Sequence, residues 1–319
     1  MDNTPVLDEL QIDYQYHLTK EGEVPFWDHP HTRGYKVIPQ TYHPITTLHG
    51  VLALHQRMQI KEEDVMLLKV LGDAVCCSEE QLKRYLSSKL TAAQVTKKLR
   101  RFRESALVDR WHVRIIGDED KVTPPSPYTI GIGGYKFLKH YYNDQFYMDP
   151  ERWDRYGIKA IQRYIATNEF RCRMVEAGIL RNWKWHAILN KNPHLTRPLG
   201  VAEVETPKGN INFIIERTQM SQNYIGFLRE KLELWKRIYE KHQLVPIDKF
   251  KHNPTVCIFY TSTYSIAQEV QKELMLDTYP FPIWLCVEED IYTDGLSKAF
   301  YRPDKERLKR IKVDFMDRS

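Results

Sequence analysis

The densest run of chemistry-bearing side chains in this 319-residue chain lies between positions 94 and 114. Gln94, Thr96, Lys97, Lys98, Arg100, Arg101 and Arg103 follow one another closely, and Arg110 and Arg114, with Lys121, continue the cationic character beyond them. Ammonium and guanidinium groups bind phosphate oxygens, a guanidinium also pairs with guanine, and an amide or hydroxyl reads base edges. Val95, Leu99 and Phe102 recur at steps of three and four, so a helix here is apolar on one side and cationic on the others. A merely solvated helix face mixes signs, as Glu230-Lys231-Leu232-Glu233 does; this run is almost purely cationic. The expected partner is double-stranded DNA.

Other candidate chemistry is sparser. Gly131-Ile132-Gly133-Gly134 has the flexibility of a phosphate-binding loop but neither its spacing nor a following Lys-Ser/Thr pair. His29 and His31 lack a third ligand at metal-site spacing, so the sequence predicts no metal. Cys76, Cys77, Cys172, Cys257 and Cys286 form an odd set without CxxC, which suits a reducing cytoplasm; Cys76 and Cys77 are expected to sit in a turn between helices. No basic n-region followed by an apolar stretch opens the chain, and no apolar run has membrane-spanning length, so export and membrane insertion are not expected. The net charge of +5 is modest, which makes its local clustering the informative feature.

The elements that must position the cationic run are legible around it. Glu62, Glu63 and Asp64 open a helix whose apolar face is Val65, Leu67, Leu68 and Leu71. Ser78 and Gln81 form a capping box for a second helix carrying Leu82, Tyr85 and Leu86, and Thr91 caps the third, cationic one. Two extended runs follow, at 110–116 and 128–132, around a turn-rich loop. This order predicts a winged helix-turn-helix at 59–142, preceded by an arm at 1–58 with a helix at 47–57. A largely helical bridge is expected over 143–190. An α/β domain is expected over 191–319, with strands at 200–204, 211–216, 255–260 and 283–286 and helices at 224–242 and 265–274. The fold class is therefore α+β and multidomain. Leu228, Leu232, Trp235 and Ile238 form a stripe that suits either a homodimer seam or packing on the sheet. Trp183, Trp185, Tyr141 and Tyr142 are read as packing residues.

With these pieces in order, the chain resembles the replication-relaxation family of plasmids and integrative mobile elements. The carriers are Asp64-Val65-Met66-Leu67-Leu68, Ser78-Glu79-Glu80-Gln81-Leu82, the stretch from Val95 through Arg101-Phe102-Arg103-Glu104 to Val108, and Tyr128-Thr129-Ile130-Gly131. Ala166-Thr167-Asn168-Glu169-Phe170-Arg171, Arg197-Pro198, Phe213-Ile214-Ile215-Glu216 and Glu230-Lys231-Leu232 extend it. The resemblance implies a DNA-binding factor in plasmid or mobile-element replication, relaxation, conjugative transfer or their regulation, with replication or transfer proteins as further partners.

It also implies a C-terminal core similar to restriction endonucleases, in which acidic residues on adjacent strands hold Mg²⁺ beside a lysine. The chain departs from that pattern. Leu199 follows Arg197-Pro198 where the family commonly has Asp, and Thr218 stands two residues after Glu216 where a lysine is usual. The resemblance thus implies a degenerate, non-catalytic pseudonuclease without a cofactor. The alternatives are a Mg²⁺-dependent nuclease using Glu203, Glu216 and Lys231, and a winged-helix adaptor between proteins.

Overall fold

A computed structural model describes residues 18–117, 124–218, 223–305 and 307–317. The chain divides into two compact units, His29–Leu180 and Arg181–Asp317, the latter joined by the segment that ends at Asp28. Both are mixed α+β, each with its own sheet.

In the first unit the elements run β1 (Thr32–Lys36), α1 (Leu48–Gln56), α2 (Glu62–Ala74), β2 (Cys76–Ser78), α3 (Glu79–Leu86), α4 (Ala92–Glu104), β3 (Val108–Ile115), β4 (Pro127–Ile130), α5 (Ile132–Tyr141) and α6 (Trp153–Glu176). Local chemistry sets the helix starts. Ser78 Oγ accepts from the Gln81 N–H while the Gln81 side chain accepts from the Ser78 N–H, both at 3.1 Å, and Thr91 and Gln94 repeat the device at α4. Leu67, Leu68 and Leu71 of α2, Leu82 and Leu86 of α3, and Val95, Leu99 and Phe102 of α4 then meet over Val108, Tyr128 and Ile130 of the sheet. Each such side chain contributes about 1.5–3 kcal/mol on burial. Together they fix which edge of α4 faces outward.

The small sheet has strand order β1-β3-β4-β2 and is antiparallel throughout. Cys76 and Cys77 do not sit in a plain turn: Val75, at φ 66°, breaks α2, and the two cysteines pair with Thr129 and Tyr128 as a three-residue strand. So short a strand is bound by its partner and leaves no alternation to read.

The expected boundary at 142/143 does not coincide with a division between units. α6 packs within the first one: the Asn168 amide donates to the Ala74 and Cys76 carbonyls at 2.7 and 2.8 Å, and Gln81 donates to the Ile165 carbonyl at 3.0 Å. Arg84 links Glu169 and Glu176. Residues of the expected arm likewise supply β1 and α1 to this unit. Within the expected helical bridge, the helix ends at Glu176, Gly178 turns the chain at φ 68°, and a strand follows.

The second unit contains β5 (Leu180–Trp185), β6 (Gly200–Thr206), β7 (Gly209–Arg217), α7 (Tyr224–His242), β8 (Thr255–Thr261), α8 (Tyr264–Leu274), β9 (Ile283–Val287), α9 (Glu288–Asp294), β10 (Phe300–Asp304) and β11 (Arg307–Ile311). Its sheet has the order β11-β10-β9-β8-β7-β6-β5, with β7, β8 and β9 parallel and β6–β7 and β9–β10–β11 antiparallel. Every residue of β8 is buried, as a central strand covered on both faces requires. Leu228, Leu232, Trp235 and Ile238 of α7 pack into one core with Val201, Ile214, Cys257 and Leu285. The stripe is therefore spent on the sheet and is not a free dimer seam. Among the described residues no helix is long and apolar enough to cross a membrane.

Candidate nucleic-acid interface

At about 100° per residue, the anchoring of Val95, Leu99 and Phe102 points Lys97 and Arg100 away from the core. Both are exposed, with no ion pair to a described residue. The flanks differ. Lys98 lies toward α2, where it pairs with Asp64 at 2.7 Å and Glu63 at 3.0 Å, and Arg101 reaches the same Asp64 at 2.6 Å while staying half exposed. Asp64 is fully buried. Burial opposes its ionisation, but the Lys98 ammonium, the Lys61 N–H and Arg101 outweigh that and hold the carboxyl below its ordinary range. Two of the cations read from the sequence are thus committed to an internal carboxylate.

The two expected base readers are also engaged. The Gln94 side chain accepts from the Thr91 N–H at 2.8 Å, though its NH₂ remains to donate. The Thr96 hydroxyl donates to Glu79, which also accepts from Tyr128 at 3.3 Å. Burial opposes the ionisation of Glu79, but the Thr96 hydroxyl, the Lys83 ammonium at 3.1 Å and Tyr128 together outweigh it and hold the carboxyl below the usual range. The Thr96 hydroxyl therefore serves the packing of α4 on α3.

On the other flank, α4 continues into the sheet. Strand alternation puts Trp111, Val113 and Ile115 on the buried side of β3 and Arg110, His112 and Arg114 on the outer side. Arg103, at the end of α4, is near enough to Arg110 for their charges to interact, and burial, reinforced by that charge, lowers its pKa. Arg110 donates to Ser126 at 2.8 Å, while the Nε atoms of Arg103 and Arg110 find no partner among the described residues. Arg114 is exposed.

Opposite Arg114 stands Arg33 of β1, also exposed, a residue that the sequence reading passed over. Its only sequence signal is the alternation in Arg33-Gly34-Tyr35-Lys36. Lys121 lies outside the described residues, as do Asp118, Glu119 and Asp120 of the same connection. Lys97, Arg100, Arg103, Arg110, Arg114 and Arg33 thus form a cationic edge on α4, β3 and β1.

The residues proposed for nuclease chemistry are brought together only in part. Glu216 and Lys231 form an ion pair in which both side chains are only 4% exposed. Glu216 Oε1 also accepts the Leu199 N–H at 3.1 Å, and the ammonium donates to the Arg197 carbonyl at 2.8 Å. Lys231 thus supplies the positive charge that a metal would bring. Glu203 is elsewhere: it pairs across the hairpin with Asn212, four residues from Glu216, a separation of about 13 Å along the strand. Its carboxylate accepts from Asn210 and Asn253 at 2.8 and 3.1 Å.

A Mg²⁺ site needs several oxygens converging on one point. One carboxylate already neutralised by an ammonium does not fit that ion, and no step can be drawn through it. Among the described residues no group of three His, Cys, Asp or Glu is arranged to hold a metal.

The remaining motifs resolve as packing. A Cβ at Gly131 would approach the Ala106 carbonyl oxygen to 2.4 Å, and one at Gly134 would approach that of Leu107 to 2.2 Å, so these glycines permit close backbone contact. His29 is buried, and its carbonyl accepts from Gln162 at 3.2 Å. All five cysteines are buried, and burial raises the thiol of Cys172 to about 12. Comparison of the chain with protein-family models, with curated proteins and with solved structures finds no match.

Proposed function

We propose that this chain is a non-catalytic DNA-binding protein whose first unit is a winged helix-turn-helix with α4 as the helix laid along the duplex. The order helix, strand, helix, helix, strand, strand from α2 to β4, with β4 between β2 and β3, supports that assignment. The observation that carries the reading is the placement of exposed Lys97 and Arg100, without an ion pair to any described residue, on the outward edge of α4, continuing into Arg103, Arg110 and Arg114. In the second unit, β5–β6–β7–α7–β8 supports a reading as a degenerate restriction-endonuclease-like core, its acidic site closed by Lys231. The setting is replication, relaxation or transfer of a plasmid or mobile element, as the resemblance implies.

The test is retention of labelled duplex across a salt series. Lys97, Arg100, Arg110, Arg114 and Arg33 neutralise about five phosphates, for a slope of about −4.5 in log affinity against log salt. Lys97→Ala with Arg100→Ala reduces that slope by about 2 and leaves the fold unchanged. Wild-type affinity in the double variant removes α4 from the interface. Absence of DNA binding by the wild-type chain, with capture of a replication or transfer protein, favours the adaptor reading instead.

A further inference from the structure

The β1–β3 ladder carries more than duplex phosphates require. Its outer face consists of cross-strand neighbours: Arg33 opposite Arg114, Tyr35 opposite His112, and Val37, whose N–H donates to the Arg110 carbonyl at 2.8 Å. On the other face, Gly34 packs against Ile158 and Lys36 lies over Trp111, so the alternation is strict. The outer row contains no acid. Two arginines directly opposite each other repel in a free sheet, a cost that an anion between them reverses.

Beside these charges lies exposed ring and apolar surface. Tyr35 is 55% exposed and its ring stands 5.2 Å from that of His112, and Ile116 is 42% exposed past Arg114. A duplex rim offers phosphate and sugar but no ring face, so intact DNA leaves Tyr35 without a counterpart. An unpaired base supplies one, with its own phosphates falling to the flanking arginines.

We infer that the β1–β3 face is a platform for single-stranded DNA, with Tyr35 and His112 stacking an unpaired base and Arg33 and Arg114 gripping the phosphates beside it. The substrate class is thereby narrowed to duplex DNA adjoining an unpaired stretch. This rests on the DNA-binding reading above: α4 holds the double-stranded part and the platform takes the melted or nicked part. Charge complementarity selects the occupant, because an apolar protein partner alone would leave Arg33 and Arg114 uncompensated.

The experiment uses the full chain and three labelled probes: an intact 24-base-pair duplex, the same duplex with a three-nucleotide gap containing 2-aminopurine, and a 12-nucleotide single strand. The expected result is binding of the gapped duplex on the order of ten-fold tighter than the intact one, with quenching of the 2-aminopurine by stacking. Tyr35→Ala abolishes the preference and the quench without changing affinity for the intact duplex, whereas Tyr35→Phe keeps both. Lys97→Ala with Arg100→Ala weakens gapped and intact duplex together. Equal affinity for gapped and intact duplex, or a preference that survives Tyr35→Ala, overturns the platform and leaves the duplex reading standing. Failure to bind any of the three probes overturns both.

Discussion

Replacing Asp64 with Asn separates two things this carboxylate does. It accepts the Lys61 N–H at 2.9 Å, closing the first turn of α2, and from full burial it holds Lys98 at 2.7 Å and Arg101 at 2.6 Å. An Asn retains an acceptor for the Lys61 N–H, so the cap survives in part, but the charge answering Lys98 is lost. Breaking a buried pair costs about 3–5 kcal/mol when the partner is left alone. Here Lys98 keeps Glu63 at 3.0 Å, and Arg101 is half exposed and contributes little. The net loss is therefore about 2–4 kcal/mol, which lowers the melting temperature of a domain of this size by about 5–15 °C.

The pH dependence carries a sign. Asp64 is held below the ordinary carboxylate value, so its contribution is complete above the unfolded-state pKa and disappears as pH falls through the depressed folded-state value. The gap between wild type and variant is thus wide at neutral pH and closes in acid. The same substitution frees Arg101 for phosphate while Lys98 stays with Glu63, so at 10 °C, with the chain folded, duplex affinity rises and the salt slope steepens by about 0.9. Thermal melts from pH 2 to 8 and a salt-dependent DNA titration read both effects. A melting temperature equal to wild type, a gap that persists in acid, or weaker DNA binding by the folded variant would refute the role assigned to Asp64.

Two further perturbations probe the second unit and the glycine contacts. Lys231→Met leaves Glu216 buried without a counter-charge and costs about 3–5 kcal/mol in urea unfolding, most of which Glu216→Gln restores in the double variant; supercoiled plasmid stays intact with Mg²⁺ or Mn²⁺, and nicking that disappears with Glu216→Ala would overturn the pseudonuclease reading. Gly134→Ala drives a methyl against the Leu107 carbonyl oxygen and lowers stability by about 2–3 kcal/mol, measured by circular dichroism melting, because backbone on both sides has no rotamer with which to yield.

What could be read without coordinates was what short-range rules govern. The apolar stripe of α4, the capping pairs of Ser78 with Gln81 and Thr91 with Gln94, and the span of α7 rest on contacts within a few residues. The central strands β6, β7, β8 and β9 were legible as apolar runs between turns. Strands β2, β5, β10 and β11 were not. Three-residue β2 is too short for a period, while β5 and β10–β11, with Arg181, Arg302 and Arg307, mix charge into edge positions that only a neighbouring strand makes extended.

The candidate site divides in the same way. Residue types alone placed cations on the outer faces of α4, because helical geometry is local. Which cations remain available was decided by residues far along the chain: Asp64 claims Lys98 and Arg101, Glu79 claims Thr96, and Arg33 joins the edge by lying opposite Arg114. Glu216 and Lys231 are 4% exposed partners only because α7 lies against the β7 side of the sheet, whereas Glu203 is kept apart by strand register. Periodicity and capping act through the backbone over one or two turns and are written in the sequence. Coulomb pairing and burial act through space, so they are settled only when distant segments meet.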